Sequence, residues 1–154
     1  MDQLKRMIGL TVGLMLALIA SGLCSVCFNI DLKWWIALNK PAFLLPNGWF
    51  SIFVGVSYLS SVLAISRLVE FKHIFPSMLY FLFLGVFCIL FVYAFFTLKN
   101  LVFAFVSMTI VLGLSYMLFI RFLTKEVRIA IEFFPTFLFN VYGFTCVLCI
   151  FMNN

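Results

Sequence analysis

Five apolar stretches dictate what this chain can fold into. They cover residues 7–28, 49–68, 74–98, 101–121 and 129–152, and each is at least twenty residues long. An α-helix rises about 1.5 Å per residue, so about twenty residues cross the roughly 30 Å hydrocarbon layer of a bilayer. The runs are continuously apolar instead of alternating, which argues against the strands of a membrane barrel and leaves helices as the spanning elements. The expected fold is therefore all-α: an integral membrane protein with one transmembrane domain over residues 1–154. Its five helices form a bundle, with a long loop, residues 29–48, between the first and the second.

Composition agrees. With 66% hydrophobic residues, 10 Lys and Arg and 5 Asp and Glu, the chain lacks the polar surface that a water-soluble domain of this size must show. The first stretch follows Lys5 and Arg6 and ends near Ala20, Ser21 and Gly22, as a signal peptide does. It is longer than the roughly 7–15 residues of a signal core, so it reads as the first span. The net charge of +5 does not point to nucleic acid, because the basic residues are spread over span ends and form no patch. Lys5, Arg6, Arg67, Lys72, Arg121, Lys125 and Arg128 fall on the side of the N-terminus, against Lys33, Lys40 and Lys99 on the other. In a bacterial inner membrane this excess places the N-terminus of a multi-pass protein in the cytoplasm.

The connections are short except for the first loop. Trp34, Trp35, Pro41, Phe43 and Pro46 keep that loop compact and close to the membrane interface, either as a lid over the bundle or as an amphipathic surface segment. A tight turn at Lys99 and Asn100 makes the third and fourth spans an antiparallel hairpin. Residues Thr124 to Arg128 separate the fourth span from the fifth, with Thr124 a candidate N-cap for the last helix.

Ionisable groups inside spans mark ion and proton pathways, and these spans are nearly empty of them. Glu132 is close enough to the start of the last span to reach the interface or pair with Arg128 one turn earlier, and His73 is read as a solvated loop residue. Ion and proton transport are therefore disfavoured, and with no nucleophile–base pair, no glycine-rich phosphate loop and no His and carboxylate cluster at ligand spacing, so is hydrolytic or phosphoryl-transfer chemistry. Cys24 and Cys27, and again Cys146 and Cys149, each place two thiols on one helix face. Together they allow a four-thiolate metal site, but several negative charges in an apolar zone favour reduced thiols that act as small packing groups. No metal and no obligatory cofactor is expected. The 22 Phe, 5 Tyr and 3 Trp leave open a carrier for a hydrophobic ligand and a passive scaffold.

The segment Trp34-Trp35-Ile36-Ala37-Leu38-Asn39-Lys40-Pro41-Ala42-Phe43, followed by Pro46 and Tyr58, resembles the W-Y-x-x-L-x-K-P-x-[WF]-x-P-P…Y signature of the translocator protein family. These proteins are also called tryptophan-rich sensory proteins or peripheral-type benzodiazepine receptors. The segment from Phe95 to Leu101, with Ala104 and Val106, is similar to the family's turn between its third and fourth helices, and Pro135 and Asn154 match the spacing of its last helix. The resemblance implies a five-helix bundle, often a homodimer, that binds porphyrins, haem and other hydrophobic molecules in a pocket beneath the first loop. The matching pocket positions are Pro41, Phe43, Val54, Tyr58, Cys88, Phe91, Phe103, Ile110, Phe139, Gly143 and Cys146. Val54, Phe91 and Phe139 stand where the family commonly has Trp, Cys88 and Val147 where it has Asn, and Leu45 where it has the first Pro of the pair.

These replacements trade indole N–H and amide groups for apolar contact, so a flat hydrophobic ligand is expected to be held mainly by stacking. The sterol pattern fails, because no Lys or Arg follows Tyr142. The resulting expectation is a membrane sensor or carrier for a tetrapyrrole, surrounded by lipid. The alternatives are a porphyrin-degrading enzyme, which the absence of Trp at Val54 and Phe139 disfavours, and a diverged scaffold.

Overall fold

The computed structural model of the protein describes residues 2–27, 31–69 and 74–154. The chain forms α1 (Asp2–Cys27), a short α2 (Leu32–Ala37), α3 (Asn47–Leu68), α4 (Ile74–Val92), α5 (Leu101–Lys125) and α6 (Val127–Asn153), and α4 continues into a π-helical turn over Tyr93–Thr97. Five segments are long and apolar enough to cross a membrane: Met7–Cys27, Gly48–Leu68, Pro76–Thr97, Leu101–Lys125 and Val127–Asn153. The protein is a multi-pass integral membrane protein with an all-α bundle. Phe28, the first two residues of the predicted loop, Lys72 and His73 lie outside the described residues. The last two residues of that loop, Asn47 and Gly48, belong to α3.

The long helices close a ring in the order α1, α3, α6, α5, α4 and back to α1. In lipid the apolar transfer term between helices is almost absent, so close packing and interhelical hydrogen bonds must hold them. Side-chain size therefore decides which face turns inward. On α1 the inward stripe is small: a Cβ added at Gly9 would lie 2.6 Å from the Ser66 carbonyl oxygen, and one at Gly13 would lie 3.1 Å from that of Val62. These two glycines, four residues apart, let the backbones of α1 and α3 meet. On α4 the stripe is large, with Ser77, Phe81, Leu84, Cys88, Phe91 and Phe95 recurring at helical spacing. Phe81, Phe122 and Phe133 form a three-way aromatic plug with ring centroids 5.4–6.1 Å apart. The plug fills the half of the bundle nearer the N-terminus of α1.

Polar ties stitch α6 to its neighbours. The Thr136 hydroxyl donates to the Ser57 carbonyl at 2.8 Å and lies 2.9 Å from the Ser61 hydroxyl, and the Ser60 hydroxyl donates to the Glu132 carbonyl. Asn140 Nδ2 donates to the buried Ser115 hydroxyl at 2.6 Å. Each such bond contributes about 0.6 to 2 kcal/mol in a membrane protein.

Two expectations at the start of α6 are corrected. Thr124 is no N-cap: its hydroxyl donates back to the carbonyls of Ile120 and Arg121, α5 runs on to Lys125, and extended Glu126 alone divides the helices. Glu132 does not pair with Arg128. Its Oε1 accepts from Arg67 Nε of α3 at 2.7 Å, a partner that only the ring order brings near. The hairpin turn behaves as expected, with Lys99 at φ 54° and the Asn100 side chain accepting from the Phe103 N–H at 3.0 Å.

Candidate ligand-binding site

The loop after α1 is a lid on the bundle, fastened at several points. Asp31 begins it: one carboxylate oxygen accepts from the N–H groups of Lys33 and Trp34, capping α2, while the other pairs with Lys99 Nζ at 2.6 Å in the α4–α5 turn. The Lys99 ammonium holds the Asp31 carboxyl below its ordinary range. Trp34 and Trp35 meet Phe95 edge-on at 5.3 and 6.2 Å, and Trp35 also reaches Phe96 at 6.3 Å. Both phenylalanines face the lid because the π-helical turn, closed by the Leu98 N–H donating to the Tyr93 carbonyl, inserts a residue at this point. Lys40 donates to the Trp35 carbonyl at 2.6 Å, with its ammonium 4.6 Å from the Trp35 ring centroid.

The far end of the lid is tied to α6. The Asn39 N–H donates to Asn154 Oδ1 at 2.9 Å, Asn39 Nδ2 donates to the Asn153 carbonyl, and Asn154 Nδ2 donates back to the Asn39 carbonyl. The Leu45 N–H donates to the Tyr142 hydroxyl at 2.8 Å, and that hydroxyl donates to the Phe43 carbonyl at 3.4 Å. Leu38 is buried under the lid with Ala94, Phe95, Ala104 and Ile150, forming a second packed cluster at this end of the bundle.

Phe91 packs against both this cluster and the one that holds the aromatic plug, and around it the side chains are incompletely covered. Val54 and Tyr58, one turn apart on α3, Cys88 and Phe91 on the large stripe of α4, and Phe139 and Gly143 on α6 are all half-buried. Cys146 continues the α6 stripe and is buried. Cys24 of α1 joins them, with its thiol facing the Tyr58 hydroxyl and Cys88 nearby. Phe139 packs against Phe50 at 5.7 Å, and the absence of a side chain at Gly143 is filled by the Met108 methyl group. Three helices thus bring six of the predicted positions to one depth, lined by thiol, phenol and aromatic groups.

The other predicted positions are placed differently. Pro41 is half-buried within the lid, and Phe43 is 50% exposed. Phe103 and Ile110 each precede a buried residue of α5, Ala104 and Val111, and so turn about 100° away from its buried stripe. Phe103 is correspondingly exposed. The cysteine pairs do not meet, because α1 borders α3 and α4 while α6 borders α3 and α5. Among the described residues no three His, Cys, Asp or Glu side chains converge, and all five cysteines are free.

Two residues of this layer were not singled out from the sequence as site residues. Cys24 could have been placed by the small-residue stripe of α1, which runs from Gly9 and Gly13 to Ala17 and Ala20 at helical spacing. Ser107 lies between Ala104 and Val111 on the inward stripe of α5, is 1% exposed, and has a hydroxyl with no hydrogen-bond partner. A buried hydroxyl left unpaired costs about 1–3 kcal/mol, so Ser107 carries an unused polar group inside the bundle.

No curated protein matches the sequence. The sequence pattern of the TspO/MBR family matches residues 8–152, through all five membrane-spanning helices and the lid, and the chain belongs to that family.

Proposed function

We propose that the protein is a membrane sensor or carrier that binds a planar hydrophobic ligand, a porphyrin or haem, between the lid and the Phe81–Phe122–Phe133 plug. One observation carries this reading: Val54, Tyr58, Cys88, Phe91, Phe139 and Gly143 are only half-buried at the level where Phe91 joins the two packed clusters. Aromatic rings from α4 and α6 offer stacking faces, and the Tyr58 and Ser107 hydroxyls offer polar contacts for ring substituents. Family membership supports the ligand class, since the resemblance at the lid signature implies tetrapyrrole binding. The site requires no resident cofactor for this role.

Titration of protoporphyrin into detergent-solubilised protein, followed by tryptophan fluorescence, tests the proposal. Saturable binding is expected, weakened by Tyr58→Ala and by Phe91→Ala. No saturable binding below about 100 µM would sink it. The same samples, followed by porphyrin absorbance under light and oxygen, distinguish a carrier, which leaves the absorbance intact, from an enzyme that consumes it.

A further inference from the structure

A second site is built on the outside of the bundle, at the end opposite the lid. Here α4 and α5, antiparallel neighbours, leave an open groove of about 270 Å³ lined by Tyr80, Met117, Ile120, Arg121 and Thr124. Tyr80 lies near the start of α4, and Arg121 and Thr124 lie in the last turns of α5, so the groove opens at the membrane edge on the side of the N-terminus. Arg121 is half-buried, and its guanidinium makes no ion pair or hydrogen bond among the described residues. The Tyr80 hydroxyl has no hydrogen-bond partner among them either. The Thr124 hydroxyl donates to two carbonyls of its own helix, so it has no donor to spare. The groove therefore offers a guanidinium fork and a phenol O–H at one end and the apolar side chains of Met117 and Ile120 at the other.

We propose that this groove binds an anionic phospholipid, with the headgroup phosphate on Arg121 and Tyr80 and an acyl chain along Met117 and Ile120. Arginine matches phosphate geometry with two parallel N–H donors, and a guanidinium at the edge of the hydrocarbon layer needs acceptors from the headgroup region to satisfy it. A phosphate supplied from the headgroup layer does so without leaving the membrane. Selection for a net negative headgroup follows from charge: exposed Lys125 and Arg128 lie on the same side as Arg121 and outnumber Glu126 between them. A basic groove between spans that is continuous with an apolar track has the polarity profile of a phospholipid, whereas a free anion uses only its upper end.

The test uses the full chain in nanodiscs of phosphatidylcholine, with and without phosphatidylglycerol, read by thermal unfolding and by lipid retained in native mass spectrometry. Phosphatidylglycerol is expected to raise the unfolding temperature of the wild type. Arg121→Gln should abolish that increment and lower retained phosphatidylglycerol about five-fold, with Tyr80→Phe intermediate. A structural role alone for Arg121 would lower stability equally in both lipids. That equal loss, an undiminished increment in Arg121→Gln, or no increment in the wild type would each overturn the proposal. So would inorganic phosphate reproducing the increment in phosphatidylcholine, which would assign the groove to a free anion.

Discussion

The fastening of the lid to the end of α6 yields a prediction with a calculable size. Asn154→Ala removes two of the three hydrogen bonds between Asn39 and the α6 terminus, those from the Asn39 N–H to Oδ1 and from Nδ2 to the Asn39 carbonyl. The bond from Asn39 Nδ2 to the Asn153 carbonyl remains. Both residues are exposed, so each lost bond is replaced partly by water and contributes about 0.5–1 kcal/mol net. The total of about 1–2 kcal/mol shifts the opening equilibrium of this end of the lid about five- to thirty-fold. Hydrogen–deuterium exchange reads that equilibrium directly, because the Asn39 amide is itself one of the lost donors. In the variant, peptides covering residues 38–45 should exchange faster by this factor, while those from the α5–α6 seam stay unchanged. Equal exchange rates in the two proteins would show that the Trp34 and Trp35 packing on Phe95 holds the lid by itself, and would refute the clasp.

Other outcomes follow from the packing, the lid charge and the site. Gly9→Ala drives a Cβ against the Ser66 backbone and should cost about 1–3 kcal/mol, lowering Tm by several degrees. Gly13→Ala should cost less, and Gly22→Ala, whose Cβ meets nothing within 4 Å, should be neutral or slightly stabilising; equal values across the three would refute the α1–α3 contact. The Asp31 carboxyl is held below its ordinary value of 3.8 by Lys99, so its clasp is complete above that value and is lost as pH falls through the lower, folded one. Trp emission should therefore be constant from neutral pH to about pH 4 and shift only below it, a step that Asp31→Asn removes. Phe139→Trp adds a larger ring and an N–H donor to the half-covered layer, and should tighten protoporphyrin binding about three- to ten-fold in the fluorescence titration.

The sequence made the five spans legible because length and apolar continuity alone determine them. The lid was legible because Trp34, Trp35 and the prolines stand out against an aliphatic background. The inward faces were much harder to read. α5 is apolar nearly all round, and its few hydroxyls fall on both faces, Ser107 and Ser115 buried and Thr109 exposed, so no polar side reveals which way Phe103 or Ile110 turns, and position in a motif does not supply the rotation. The ring order was equally hidden, and it alone explains why Glu132 meets Arg67 of α3 and why Cys24 lies near Tyr58 and Cys88. Thr124 read as a cap because its chemistry suits one, yet the same hydroxyl is satisfied within its own helix.

The placement of the tryptophans connects these threads. All three, Trp34, Trp35 and Trp49, lie at the lid end of the bundle, and Val54, Phe91 and Phe139, where the resemblance to the family implies pocket indoles, carry none. Intrinsic fluorescence is consequently a reporter of the lid and not of the pocket walls. A ring that slides beneath Trp34 and Trp35 must change their surroundings, whereas a phospholipid on Tyr80 and Arg121 binds about 22 Å from Phe95 along α4, on the outside of the bundle at the level of the plug. Porphyrin should therefore shift the emission and phosphatidylglycerol should leave it unchanged. A shift with phosphatidylglycerol would mean that the plug transmits motion from the groove to the lid, and that the two ends of the bundle are one coupled unit.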